Sequence, residues 1–162
     1  MADFPTLDLS INRESFFSKQ VPEILKNIKG DELPIWGVMS VQHMIEHLIF
    51  PLKIAQKEID FGIFTSEEKI AKQQAFLESP LGLPKNFPFP GFAPGYVPPL
   101  FYATLEEAKS HLLAEIQQFM IFLADKEKER GNHPVFGKLN EEQWLIFQYK
   151  HFMHHFMQFG LV

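Results

Sequence analysis

The sequence predicts an all-α protein, a four-helix bundle with one long Pro-rich crossover insertion, on three observations. Apolar residues recur at helical spacing in four separate stretches. Good cap residues stand at the start of three of them. Strand-like alternation is weak throughout. The 162 residues, 46% hydrophobic and 22% charged, suit a single domain over 1–162. Eighteen Phe residues point to an aromatic-rich core or pocket.

The first helix is expected over residues 12–28, where Phe16, Phe17, Val21, Ile24, Leu25 and Ile28 fall near one face. Pro22 either kinks it or marks its start, and Gly30 suits a C-cap. The second follows Ser40, a good N-cap, and extends to about residue 59 on the stripe Val41, Met44, Ile45, Leu48, Leu52 and Ala55. Pro51 predicts a kink one turn beyond His47. The third opens on the capping box Thr104 and Glu107 and ends by Gly131. Its core face is Leu105, Ala108, Leu112, Ile116, Phe119 and Leu123. The fourth follows Asn140, with Gln143 at the reciprocal capping position, and reaches about residue 159.

Residues 61–103 form the crossover. A short helix is expected over 65–78, and seven of the twenty residues 80–99 are Pro. Proline fixes φ and removes a backbone donor, so this part is an extended loop. Phe87, Phe89, Phe92 and Tyr96 would line a pocket or a subunit contact, or belong to a strap packed on the bundle.

Composition excludes several functions. The net charge is −5 with no block of Lys or Arg, so nucleic-acid binding lacks its basic footprint. Lys126, Lys128 and Arg130 alternate with Glu127 and Glu129 near a helix end, where they complement the helix dipole. With no Cys there is no disulfide, thiolate metal site or cysteine nucleophile. The opening MADFPTLDLS has no apolar signal core, and the apolar runs are too short to span a bilayer. A cytoplasmic protein, not a membrane protein, is expected.

The histidines carry the functional signal. His151 and His155 stand four residues apart, which on a helix brings their side chains to one face roughly 5–6 Å apart. At 100° per residue, Trp144, Gln148, His151, His155 and Gln158 share one stripe, while His154 falls to the side as a rim residue. On the second helix His47 borders the apolar stripe and His43 points toward solvent. Three protein ligands suffice for an open metal site, and His47, His151 and His155 are the candidates. His43, Trp144, Gln148 and Gln158 are candidates for the surrounding layer or pocket. His111 reads as an ordinary hydrogen-bonded histidine.

Two rival motifs fail. His43-Met44-Ile45-Glu46-His47 matches the H-x-x-E-H of inverted zinc proteases, but that assignment leaves His151 and His155 unexplained. A di-iron bundle needs Glu-x-x-His motifs, and none occurs.

Trp36-Gly37-x-Met39-Ser40 leading into Gln42-His43-Met44-Ile45-Glu46-His47-Leu48 resembles the second helix of the DinB/YfiT-like superfamily. So does His133-Pro134-x-Phe136-Gly137-x-Leu139, followed by Glu142-x-Trp144 and Tyr149-Lys150-His151-x-x-His154-His155-x-x-Gln158. Together they resemble a largely uncharacterised branch of that superfamily. The first helix and the Pro-rich insertion carry no part of the likeness. The resemblance implies an up-down-down-up bundle, frequent homodimers, and one divalent metal, zinc or nickel most often, held by three His. On this chain these map to His47, His151 and His155. It also implies activation of a low-molecular-weight thiol for transfer or isomerisation, or hydrolysis.

Three neutral imidazoles leave a divalent ion its charge and an open position, where bound water loses a proton near pH 7 or a thiol binds as thiolate. Any sulfur nucleophile must come from a cosubstrate. Gln158 is placed to orient a ligand or water. Tyr149 and Glu46 lie on the wrong sides of their helices to act as base, and His43 is only a remote proton carrier. Transfer of a small thiol is therefore favoured over hydrolysis, on a small, partly apolar substrate. The rival is a non-enzymatic bundle stapled by metal or merely binding a ligand. Stabilisation by metal is expected to fade below about pH 6.5, where free imidazoles protonate.

Overall fold

A computed structural model describes residues 4–87 and 92–162. Phe89 lies outside the described residues. The described chain is mainly helical, with five helices and one two-stranded hairpin. Helix α1 is continuous through Arg13–Ser15, Phe16–Gln20 and Val21–Asn27. It is followed by α2 (Val41–Ala55), α3 (Glu67–Glu78), α4 (Leu105–Ala124) and α5 (Glu141–Gln158). Strands β1 (Asn132–His133) and β2 (Gly137–Lys138) pair antiparallel.

Local chemistry explains the departures from the sequence expectation. Pro22 neither breaks α1 nor starts it. The turn before it widens over Phe16–Gln20, with Val21 N–H reaching back five residues to the Phe16 carbonyl. That accommodates a residue without an N–H, and both Phe16 and Phe17 remain buried. Helix α2 runs through Pro51 but stops at Ala55, because Lys57 adopts a left-handed conformation at φ 63°.

Helix α4 also ends early. Asp125 is extended, and the chain wraps around Arg130, whose guanidinium donates to the carbonyls of Leu123, Lys126 and Lys128. The basic residue thus satisfies the helix end directly. Gly131 then crosses α2 so closely that a Cβ would lie 1.8 Å from the Ile54 carbonyl oxygen. The hairpin that follows was not foreseen.

Helix α2 packs chiefly on α4 and also on α5. The core between them contains Met44, Leu48, Leu52, Leu112, Ile116, Phe119, Phe152 and Phe156. The Pro-rich part of the crossover is tied down at both ends by buried charges. At its start, Lys150 of α5, with no exposed surface, donates to the carbonyls of Ser79 (2.7 Å), Leu81 (2.7 Å) and Phe76 (3.3 Å). Burial pushes its ammonium down to about 8. The N-terminal segment pairs with the same stretch through Leu7 N–H to Pro80 O (2.8 Å) and Gly82 N–H to Pro5 O (2.7 Å). At the far end, the Glu46 carboxylate of α2 accepts the N–H groups of Phe101 (2.7 Å) and Tyr102 (3.1 Å). Both clamps are charge-assisted, the stronger kind of hydrogen bond. No helix among the described residues is long and apolar enough to cross a membrane.

Candidate metal centre

The residues of the predicted stripe on α5 are all buried: Trp144, Gln148, His151, His155 and Gln158. Two capped helices bring the histidines together. Asn140 and Gln143 form a complete capping box at the start of α5, and the Ser40 side chain accepts the His43 N–H at the start of α2. The His47 and His151 Nε2 atoms lie 2.9 Å apart, and those of His151 and His155 lie 3.1 Å apart. One ligand nitrogen from each of the three falls within 4.8 Å of the others.

Four tetrahedral ligands at a Zn–N distance of 2.0–2.1 Å would be separated by roughly 3.3 Å. The triad stands within a few tenths of an ångström of that spacing along both contacts. Three imidazole lone pairs directed at one point repel unless a cation or a shared proton lies between them. A second proton is disfavoured on each ring, so each stays a neutral imidazole with one nitrogen lone pair to offer. Burial, with a smaller push from His154, lowers the His47 imidazole to about 4. Burial, reinforced by the neighbouring imidazoles, holds His151 and His155 well below the usual histidine range. The donor set therefore fits a divalent ion that accepts neutral nitrogen ligands. It also moves the expected pH window: the folded site stays deprotonated well below pH 6.5, because its histidines are desolvated rather than free.

Gln158 orients His155. Its Nε2 donates to the Trp36 carbonyl (2.8 Å), which directs its Oε1 toward His155 Nδ1 at 2.7 Å. An amide oxygen can only accept, so His155 Nδ1 carries the proton and Nε2 keeps its lone pair. The loop before α2 is shaped for this contact. Ile35 N–H donates to the Gln158 carbonyl (2.7 Å), and Gly37 sits at φ +82°. A Cβ on Gly37 would lie 2.7 Å from Gln158 Nε2.

His154 stays outside the triad. Its Nδ1 faces the Leu83 carbonyl at 3.3 Å, and its ring meets His155 edge-on at 4.9 Å. It lines a cavity of about 190 Å³ with Pro5, Trp36, Leu83, Lys85 and Met157. Lys85 lies over the Trp36 ring, 4.7 Å from its centroid. The crossover thus contributes to a pocket beside the histidines, but through Leu83 and Lys85. The foreseen Phe87, Phe92 and Tyr96 are exposed, with Phe92 stacked on Tyr96 at 5.5 Å.

The other named residues have local roles. His43 Nδ1 shares a hydrogen bond with the Ser40 hydroxyl (2.6 Å) and lies apart from the triad. His111 stacks on Tyr102 at 4.3 Å. Glu46 is committed to the crossover backbone, which leaves the protease-like motif without its base.

His133 was not singled out as a site residue. Its Nδ1 accepts the N–H groups of Val135 (3.0 Å) and Phe136 (3.1 Å), and burial pushes its imidazole down to about 3. Its ring packs on Phe147 at 4.2 Å, and Phe147 stacks on His151 at 5.4 Å. The hairpin therefore buttresses the centre from behind. His133-Pro-x-Phe-Gly is a turn-like string, but its contact with α5 is long-range and left no periodic signal.

The model of one protein family, described only as a protein of unknown function (DUF1569), matches residues 94–160. This stretch includes α4, the hairpin and α5 with His151 and His155, but not His47. No curated protein and no solved structure matches the chain.

Proposed function

We propose that this protein is a metal-dependent enzyme of the DinB/YfiT-like kind. In this reading α1, α2, α4 and α5 are the four helices of an up-down-down-up bundle, and α3 with the Pro-rich strap forms the crossover. His47, His151 and His155 hold one divalent ion, zinc or nickel. The observation that carries the reading is the convergence of three Nε2 atoms, from part-buried His47 and buried His151 and His155, the last locked in the ligating tautomer by Gln158. A divalent ion held there supplies positive charge that favours deprotonated water or a thiolate at neutral pH.

The chain's own residues set the rest of the chemistry. The cavity beside His154 offers an indole face, a thioether, Leu83 and a single cation, which suits a small, partly apolar substrate. Glu46 is occupied by backbone donors, and no carboxylate joins the metal-binding cluster among the described residues. Hydrolysis would want such a base. Transfer of a low-molecular-weight thiol to a small electrophile needs less from the protein, so it is the favoured reaction. The part-buried position of His47 weighs against a closed, purely structural staple.

Elemental analysis of the purified protein tests the reading. Close to one divalent ion per chain is expected, lost in His151→Ala and His155→Ala and kept in His154→Ala. Full retention of metal in His155→Ala would refute it. A thiol-transfer screen with the loaded protein then tests the reaction.

A further inference from the structure

Four buried polar side-chain atoms on one face of α5 have no hydrogen-bond partner among the described residues: Trp144 Nε1, Gln148 Oε1, Gln148 Nε2 and His151 Nδ1. Trp144 and Gln148 have no exposed surface, and His151 is 6% exposed. A buried donor or acceptor left without a partner is costly, and four on one helix face call for a partner.

The chemistry of His151 specifies what is needed. Its Nε2 faces the Nε2 atoms of His47 and His155. If that nitrogen is a ligand, Nδ1 must carry the proton and wants an acceptor. His155 has such an acceptor in Gln158, three residues along the helix. His151 has a glutamine at the mirror position, three residues before it, and i, i+3 residues are neighbours on a helix surface. Side chains on a helix lean toward its N-terminus, so His151 tilts toward Gln148 while Gln148 tilts toward Trp144. None of the three bonds another in this structure, and the Gln148 amide has to turn back to meet His151. The Gln148 oxygen has two lone pairs. One suits His151 Nδ1–H and the other suits Trp144 Nε1–H, four residues back on the same face.

We propose that Gln148 is a positioning residue for the metal centre. Its Oε1 accepts the His151 Nδ1–H in the metal-loaded protein, and Trp144 Nε1–H donates to the same oxygen to hold the amide in place. The two pendant ligands on α5 are thereby each oriented by a glutamine, Gln158 for His155 and Gln148 for His151. This rests on the proposed metal site.

The test compares Gln148→Leu, Gln148→Glu and His155→Ala, with Zn²⁺ affinity measured by competition against a chromophoric chelator. Gln148→Leu should weaken Zn²⁺ binding about ten- to a hundredfold, and Gln148→Glu, which keeps an acceptor, should restore it to within about threefold. The melting temperature of the metal-free Gln148→Leu protein should not fall, since removing an unpartnered amide from a core costs little. Unchanged Zn²⁺ affinity in Gln148→Leu, beside loss in His155→Ala, would overturn this inference alone. A lower melting temperature without an affinity change would make Gln148 merely structural and would overturn it too. No Zn²⁺ binding by the unmodified protein would overturn the metal reading and this inference together. Should Gln148→Leu fail to fold, the unmodified protein decides. Nitrogen-15 NMR of the Zn²⁺-loaded chain should show His151 protonated at Nδ1 and hydrogen-bonded, and an Nδ1–H without a bonded partner would overturn the assignment.

Discussion

Replacing His133 by Asn should make the metal-free protein less sensitive to acid. The native Nδ1 accepts two backbone N–H groups, at 3.0 and 3.1 Å, so the imidazole must be neutral with its proton on Nε2. Burial pushes it down to about 3, against about 6.5 in an unfolded chain. A histidine depressed in the fold contributes stability that is fully present above the unfolded value. That stability is lost as pH falls, because the unfolded chain takes up its proton first. The loss runs at about 1.4 kcal/mol per pH unit from about pH 6.5 down toward pH 3. At pH 4.5, two units into the window, His133 accounts for about 3 kcal/mol. Asparagine keeps an oxygen able to accept turn N–H groups but does not titrate. Urea unfolding of both proteins at pH 7 and pH 4.5, each with chelator present, isolates the difference. The loss between the two pH values should be smaller in His133→Asn by about 2–3 kcal/mol, whatever the other histidines contribute to both. An equal loss in the two proteins would refute the claim that a neutral His133 holds the hairpin.

Metal at a hundred times its dissociation constant should stabilise the fold by about 2.7 kcal/mol, or roughly 5–11 °C in melting temperature for a chain of this size. That gain should persist at pH 5.5, because burial keeps His47 deprotonated to about 4 and the other two ligands well below their usual range. Scanning calorimetry with and without chelator checks it, and a gain gone by pH 6 would contradict the desolvated site. Lys150→Met should cost about 2–4 kcal/mol by releasing three carbonyls of the crossover. Limited proteolysis should then cut first within residues 79–87, and an unchanged cleavage pattern would show that the clamp is dispensable.

Helix existence was legible in sequence because each helix announces itself locally. Thr104 with Glu107 and Asn140 with Gln143 form complete capping boxes, and Ser40 caps α2 as its position suggested. Helix ends were less legible. The C-terminus of α4 depends on Arg130 folding back over carbonyls up to seven residues away, which no periodicity encodes. The hairpin hangs on Gly131 passing over Ile54 and on a buried His133. The first joins distant segments, and the burial of the second depends on Phe147 of α5.

Helical phase alone separated His151 and His155 from His154, since 100° per residue is a property of the backbone and not of its surroundings. It placed Gln148 and Gln158 on the same stripe for the same reason. Whether that stripe met His47 depended on how α2 and α5 pack, and only the tertiary structure brings the Nε2 atoms to 2.9 and 3.1 Å. Lys150 was overlooked for a related reason. A lysine reads as solvent-facing, yet Ile146, Tyr149 and Phe156 bury the far side of α5 as well, and a helix buried all round hides its charges. Sequence determined which side chains share a face. The tertiary structure decided which faces meet, how dry the meeting place is, and therefore that these histidines remain neutral where free ones would be charged.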